Sequence, residues 1–358
     1  MKKIRVLVVE DSKVVRQLLE HIITSDPRLE IAAAVETAEE ALHLLARLAP
    51  DVISMDIRLP GMNGFEATQR IMQEKPTPIV VISASVDSSE IPITMNALRA
   101  GALTVLEKPA GVTSAEYAAV AERLCTQLVI MSQVRVVRRR AQTPVLARPL
   151  FPRMADSKLR GDYKLLGIAA STGGPNALTH VLGGLGGDFP LPILLVQHIT
   201  GSFLEGFAAW LRTVTPFAVE VVKDRVPLSP AKIYMAACDC HLLAANGFAQ
   251  SGRGDPVCGQ RPSGTVLFES MAAAYGDRAL GVLLTGMGED GAAGLLRLRQ
   301  SGNHTIAEDE STAVVYGMPA EAVRLGAVSE SLPLPAIAPR ILELARPALR
   351  PSGSEVAA

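Results

Sequence analysis

Ser171, His198 and Asp290 each stand just beyond a short apolar run, at 165–169, 193–196 and 281–284. Ser171 lies in Ala170-Ser171-Thr172-Gly173-Gly174-Pro175. The glycines permit a tight turn, and the proline suits the first turn of a helix. Taken singly, each residue has a plain structural use. Ser171 fits a helix N-cap or a phosphate-binding loop as well as a nucleophile. His198 fits a structural histidine behind a buried strand, and Asp290, among glycines in Gly286-Met287-Gly288-Glu289-Asp290-Gly291, a turn or cap. Taken together, hydroxyl, imidazole and carboxylate would share one edge of a parallel sheet. They then have the chemistry of nucleophile, general base and orienting acid. The Gly-x-Ser-x-Gly elbow is absent and the order Ser, His, Asp is unlike that of other hydrolase folds, but geometry rather than order defines a triad.

A second set sits earlier in the chain. Glu10 and Asp11 follow the apolar run 4–9, Asp56 follows 52–55, Ser83 follows 79–82, and Lys108 follows 104–106. Glu10 or Asp11 alone would pass for a helix cap after a strand. Three carboxylates brought to one sheet edge repel and need a cation. An oxygen-only donor set suits Mg²⁺, which retains waters and prefers phosphate as a further ligand. One carboxylate can then attack a phosphoryl group while cation and lysine offset the developing charge.

Both sets need strands that end together. Apolar runs alternate with segments of helical spacing over residues 1–125, and the alternation resumes from Tyr163. This predicts two doubly wound α/β domains with parallel sheets. Expected boundaries are 1–125, a linker at 126–160, a second domain at 161–349 and a tail at 350–358. The stretch 134–160 carries eight basic residues against one acid and is interrupted by Pro144, Pro149 and Pro152. It reads as a solvated linker rather than a nucleic-acid or lipid contact.

Composition narrows the function. The net charge of −1 gives no pull toward nucleic acid or anionic membrane, and 4% aromatics leave little surface for base stacking. No apolar run reaches membrane-spanning length, and the opening residues lack the pattern of a signal peptide, so a cytoplasmic location is expected without membrane insertion. Cys125, Cys238, Cys240 and Cys258 are then expected as free thiols, and Cys238, Cys240, His241 and Cys258 lack the spacing of a common zinc site.

The first set, with Leu59-Pro60-Gly61-Met62-Asn63-Gly64 and Lys108-Pro109, resembles response-regulator receiver domains. The resemblance implies a flavodoxin-like fold, Asp56 as phosphoacceptor, Glu10, Asp11 and Asp56 as Mg²⁺ ligands, and Ser83 and Lys108 as phosphoryl contacts. Val105 stands where that family often has a switch aromatic.

From about 165 to 349 the chain resembles chemotaxis protein-glutamate methylesterases. The likeness rests on Ala169 to Gly174, Val196-Gln197-His198, Gly259-Gln260-Arg261-Pro262-Ser263, Leu284 to Gly291 and Glu308-Asp309-Glu310. It implies a Rossmann-like hydrolase domain with catalytic Ser171, His198 and Asp290. It also implies a backbone oxyanion donor at Met287, with Thr172 nearby, and no cofactor in this domain. Substrates would be glutamyl methyl esters and glutamines of methyl-accepting chemoreceptors, and a sensor histidine kinase would be the phosphodonor. Gln260, Gly264 and Thr265 depart from the family's usual residues and are expected to stay clear of the triad. A DNA-binding output would need a basic output domain, whereas the basic residues cluster in the linker. A nucleotide-binding loop would want a lysine, and 165–177 has none.

Overall fold

The computed structural model describes residues 2–83, 91–109, 114–134 and 163–345. Most of the expected linker and the whole expected tail lie outside them. The chain forms two compact units.

The first unit alternates β1 (Ile4–Val9), α1 (Lys13–Ser25), β2 (Leu29–Val35), α2 (Ala38–Leu48), β3 (Val52–Asp56), α3 (Gly64–Glu74), β4 (Ile79–Ser83), α4 (Ile91–Ala100), β5 (Thr104–Glu107) and α5 (Ser114–Met131). The strands lie in the order β2-β1-β3-β4-β5, and every pairing is parallel. This is the flavodoxin-like order, in which ligands sit beyond the carboxyl ends of the strands. Central β3 and β4 are buried along their whole length, which is why their sequences are nearly continuous apolar runs.

Helix starts are set by side chains. Ser12, Thr37 and Asn63 accept hydrogen bonds from the N–H groups of Val15, Glu40 and Glu66. Gly64 is dictated by space, since a Cβ there would lie 2.1 Å from the Asp56 carbonyl oxygen. Helix α5 runs to Met131, past the expected domain end at 125. Leu124, Leu128 and Met131, at helical spacing, are all buried and carry the helix onward.

From residue 163 onward the chain forms β6 (Leu165–Ala170), α6 (Gly174–Leu185), β7 (Ile193–Gln197), α7 (Gly201–Val214), β8 (Ala218–Val222), β9 (Arg225–Pro227), β10 (Lys232–Ala236), β11 (His241–Ala245) and β12 (Phe248–Gly252). It continues with α8 (Gly264–Tyr275), β13 (Ala279–Leu283), α9 (Ala292–Gln300), β14 (His304–Glu308), α10 (Met318–Arg324), β15 (Glu330–Leu332) and α11 (Leu334–Ala345). Seven strands make a parallel sheet in the order β15-β14-β13-β6-β7-β10-β8. From β6 the chain leaves toward β7 and returns on the other side at β13, so the switch point falls between β6 and β13.

Strand–helix alternation does not hold throughout this stretch. Strands β9, β11 and β12 form a separate antiparallel sheet, with β11 and β12 joined at Asn246-Gly247. Gly247 has φ +75° at the second central position of the turn, where glycine meets no steric penalty. Among the described residues no helix is long and apolar enough to cross a membrane.

Candidate active site

Strands β6, β7 and β13 deliver the three predicted residues to the switch-point edge. Backbone hydrogen bonds bring their ends together. His198 N–H donates to the Ala170 carbonyl (3.0 Å), and Ser171 N–H donates to the Thr285 carbonyl (3.0 Å). The buried Gln197 amide ties the turn further, donating to the carbonyls of Ser171 (2.9 Å) and His198 (3.0 Å).

His198 Nε2 lies 2.8 Å from Asp290 Oδ2. A carboxylate at that distance selects the tautomer with its proton on Nε2, leaving Nδ1 as the basic nitrogen. Nδ1 is buried and has no hydrogen-bond partner among the described residues, Ser171 included. Catalytic hydrogen bonds are often long without substrate and tighten when it binds. The structure thus pairs histidine with aspartate and brings the serine backbone alongside, while the serine–histidine bond is not made.

Asp290 is 2% exposed. The N-terminus of α8 supplies three donors to it: Ser263 Oγ to Oδ1 (2.6 Å), Gly264 N to Oδ2 (2.7 Å) and Thr265 N to Oδ1 (3.2 Å). Burial opposes ionisation, but the His198 contact and the Ser263 and Gly264 donors outweigh it and hold the carboxyl down at about 2. The expectation that Gly264 and Thr265 stay clear of the triad is therefore wrong. They act through backbone N–H groups, which residue type does not reveal. Ser263 is a further site residue that sequence reasoning missed, although it stands in the Arg261-Pro262-Ser263 run.

The loop after β13 is held in one orientation. The Gly286 carbonyl accepts from Gly317 N (3.1 Å) and Met318 N (2.8 Å), and Gly286 N donates to the Val315 carbonyl (3.0 Å). In a trans peptide the next N–H points opposite to that carbonyl. The Met287 N–H is accordingly turned away from the 315–318 segment, and among the described residues it has no acceptor. A Cβ on Gly286 would lie 2.8 Å from Ser171 Cβ, so this loop packs directly on the predicted nucleophile. Thr172 follows Ser171 in the turn that leads to α6.

In the first unit, Lys108 Nζ bridges Glu10 Oε1 (3.0 Å) and Asp56 Oδ2 (2.8 Å). Ser83 closes β4, and its carbonyl accepts the Lys108 N–H (3.0 Å). Ligand oxygens of Glu10, Asp11 and Asp56 all lie within 4.8 Å of one another. Burial and the Asp56 charge push the Glu10 carboxyl up to about 6, and burial raises Asp56 as well. Glu10 Oε2 is buried without a hydrogen-bond partner among the described residues. A crowded, all-oxygen, under-neutralised cluster of this kind fits a hard divalent cation.

Residues 6–116 match the family model of the response regulator receiver domain, and residues 166–341 that of the CheB methylesterase. Protein-glutamate methylesterase/protein-glutamine glutaminase 2 of Paramagnetospirillum magneticum is 55% identical, over 96% of this chain and 98% of that protein. The corresponding protein 1 of Syntrophus aciditrophicus is 43% identical, over 96% and 98%. The solved catalytic domain of Thermotoga maritima CheB methylesterase is 33% identical, covering 51% of this chain and 98% of that one at a TM-score of 0.49. With the receiver signature, the hydrolase signature and whole-length relatives in agreement, the chain belongs to the protein-glutamate methylesterase/protein-glutamine glutaminase family.

Proposed function

We propose that the chain is a phosphorylation-activated hydrolase. It removes methyl esters from glutamate side chains of chemoreceptors, releasing methanol, and deamidates receptor glutamines, serving sensory adaptation. The observation that carries this reading is the buried His198–Asp290 pair beside Ser171, at the sheet edge where the Met287 N–H has no acceptor among the described residues.

Ser171 Oγ attacks the ester carbonyl while His198 Nδ1 takes its proton. The Nε2–H remains on the ring and keeps donating to the Asp290 carboxylate, whose charge stabilises the imidazolium. The carbonyl oxygen becomes an oxyanion against the Met287 N–H, with Thr172 beside it. The Nδ1 proton passes to the departing methoxide, giving methanol and an acyl-serine. Water, deprotonated by Nδ1, then releases the glutamate and restores Ser171. With a glutamine side chain the same steps release ammonia.

In the receiver, Glu10, Asp11 and Asp56 would hold Mg²⁺, which would supply positive charge beside the acceptor oxygen. Asp56 accepts the phosphoryl group from a sensor kinase, with Ser83 and Lys108 contacting it. The receiver implies a phosphodonor partner, and the esterase implies receptor substrates.

The test is methanol release from methylated receptors, with and without a small phosphodonor and Mg²⁺. Wild type should turn over and accelerate with phosphodonor. A folded Ser171→Ala protein with near-wild-type turnover would sink the serine mechanism.

A further inference from the structure

We propose that Ser263 is a positioning residue of the esterase site, locked by His241, so that the triad extends into a chain His241–Ser263–Asp290–His198. The proposal rests on the esterase reading above.

Asp290 must present Oδ2 squarely to His198 Nε2. A carboxylate held by one oxygen alone can turn about its last bond, so the other oxygen needs a fixed partner. Ser263 Oγ, 2.6 Å from Oδ1, is the closer of its two partners, the other being the Thr265 N–H at 3.2 Å. The same oxygen accepts the Val266 N–H (3.3 Å) and caps α8. A serine hydroxyl has one proton and lone pairs to spare, so it can donate to the carboxylate and accept from the helix at once. Aspartate, an equally good cap, could only accept, and would set a second carboxylate against Asp290. The choice of serine among the good caps therefore follows from its neighbour.

Ser263 is itself placed by a histidine from the antiparallel sheet. Its N–H donates to His241 Nδ1 (3.2 Å), while His241 Nε2 faces the Asp255 carbonyl (3.0 Å). A ring that accepts at Nδ1 and donates at Nε2 is neutral. His241 is 4% exposed and Ser263 is fully buried, so water does not replace either bond. The sheet of β9, β11 and β12, which parallel alternation did not predict, thus anchors the orientation of the catalytic base.

The experiment is steady-state methanol release by the full-length protein with phosphodonor and Mg²⁺, alongside Ser171→Ala. Ser263→Ala should lower kcat roughly tenfold to a hundredfold at unchanged KM, with Ser263→Thr within about threefold of wild type. Losing the Ser263 donor leaves more negative charge for His198, so the acid limb of kcat should move to higher pH in Ser263→Ala. Ser263→Asp keeps the cap and removes the donor, and should lose kcat like alanine. It also decides the matter if Ser263→Ala fails to fold. His241→Phe should repeat the kcat loss, and the double variant should be no worse than either single change.

A folded Ser263→Ala with wild-type kcat and acid limb, or a Ser263→Asp as active as wild type, would reduce Ser263 to a cap and overturn the proposal. Additive losses in the double variant would remove His241 from the chain. If Ser171→Ala kept wild-type turnover, the esterase reading itself would fall. If Ser171→Ala were inactive while Ser263→Ala matched wild type, only the positioning role would.

Discussion

Glu308 closes β14 with 1% of its surface exposed. Its Oε2 accepts the Thr285 N–H (2.9 Å), and its Oε1 has no partner among the described residues. Burial pushes the carboxyl up to about 7, with the Thr285 N–H and the Thr312 hydroxyl only partly offsetting it and the Asp309 charge adding to it. In the unfolded chain a glutamate titrates near ~4.3. Between those values the folded state keeps a proton that the unfolded state releases. Stability from this group is therefore full below about pH 4.3 and is lost as pH rises through about 7. Over pH 5 to 8 the loss comes to about 2–3 kcal/mol, because stability falls by ~1.36 kcal/mol for each pH step of one across which only the folded state holds the proton.

Glu308→Gln keeps an acceptor for Thr285 and carries no titrating proton. Its amide N–H₂ lacks an acceptor, but that penalty does not vary with pH. Urea unfolding at pH 5 and pH 8, followed by fluorescence of the buried and single Trp210, measures both proteins. Wild type should lose about 2–3 kcal/mol relative to the variant between the two pH values. The subtraction cancels the other titrating groups, including Glu10 and Asp56. A stability difference between the two proteins that stays the same at both pH values would refute the reasoning, and with it the claim that Glu308 is neutral in the folded protein below pH 7.

Gly286→Ala places a Cβ 2.2 Å from Met318 Sδ and 2.8 Å from Ser171 Cβ. Turnover should fall about a hundredfold with ~1–3 kcal/mol lost in stability, and a wild-type methanol-release rate would contradict the packing. Receptors carrying glutamine at the modification sites should show the small mass gain of amide-to-acid conversion, more slowly than ester loss, because the amine must be protonated to leave. Mass spectrometry finding no gain with enzyme active on esters would exclude that second reaction. Asp56→Asn should keep basal esterase activity and ignore phosphodonor. Stimulation equal to wild type would place phosphoryl acceptance elsewhere.

The residues proposed for the chemistry could be picked out because a parallel sheet gathers its strand ends on one edge. An apolar run followed by Ser171, His198 or Asp290 already says where each side chain stands, and the same logic places Glu10, Asp56, Ser83 and Lys108. What escaped that logic travels through the backbone or through burial. The donors from Gly264 and Thr265 to Asp290 are peptide N–H groups, which every residue except proline possesses, so their types carry no signal. The antiparallel sheet was hidden because β9 has three residues and β12, mostly half-buried, carries no continuous apolar run, although Asn246-Gly247 marked its hairpin. The continuation of α5 to Met131 was legible in Leu124, Leu128 and Met131 but ran into a stretch whose charge and prolines suggested a linker. Which imidazole nitrogen of His198 meets Asp290, and whether Glu308 holds its proton, depend on distances and burial that exist only once β6, β13 and β14 lie side by side. Side-chain chemistry and its place along the chain are properties of sequence. The direction of a hydrogen bond and the free energy of a buried charge belong to the assembled fold, because both depend on neighbours far away along the chain.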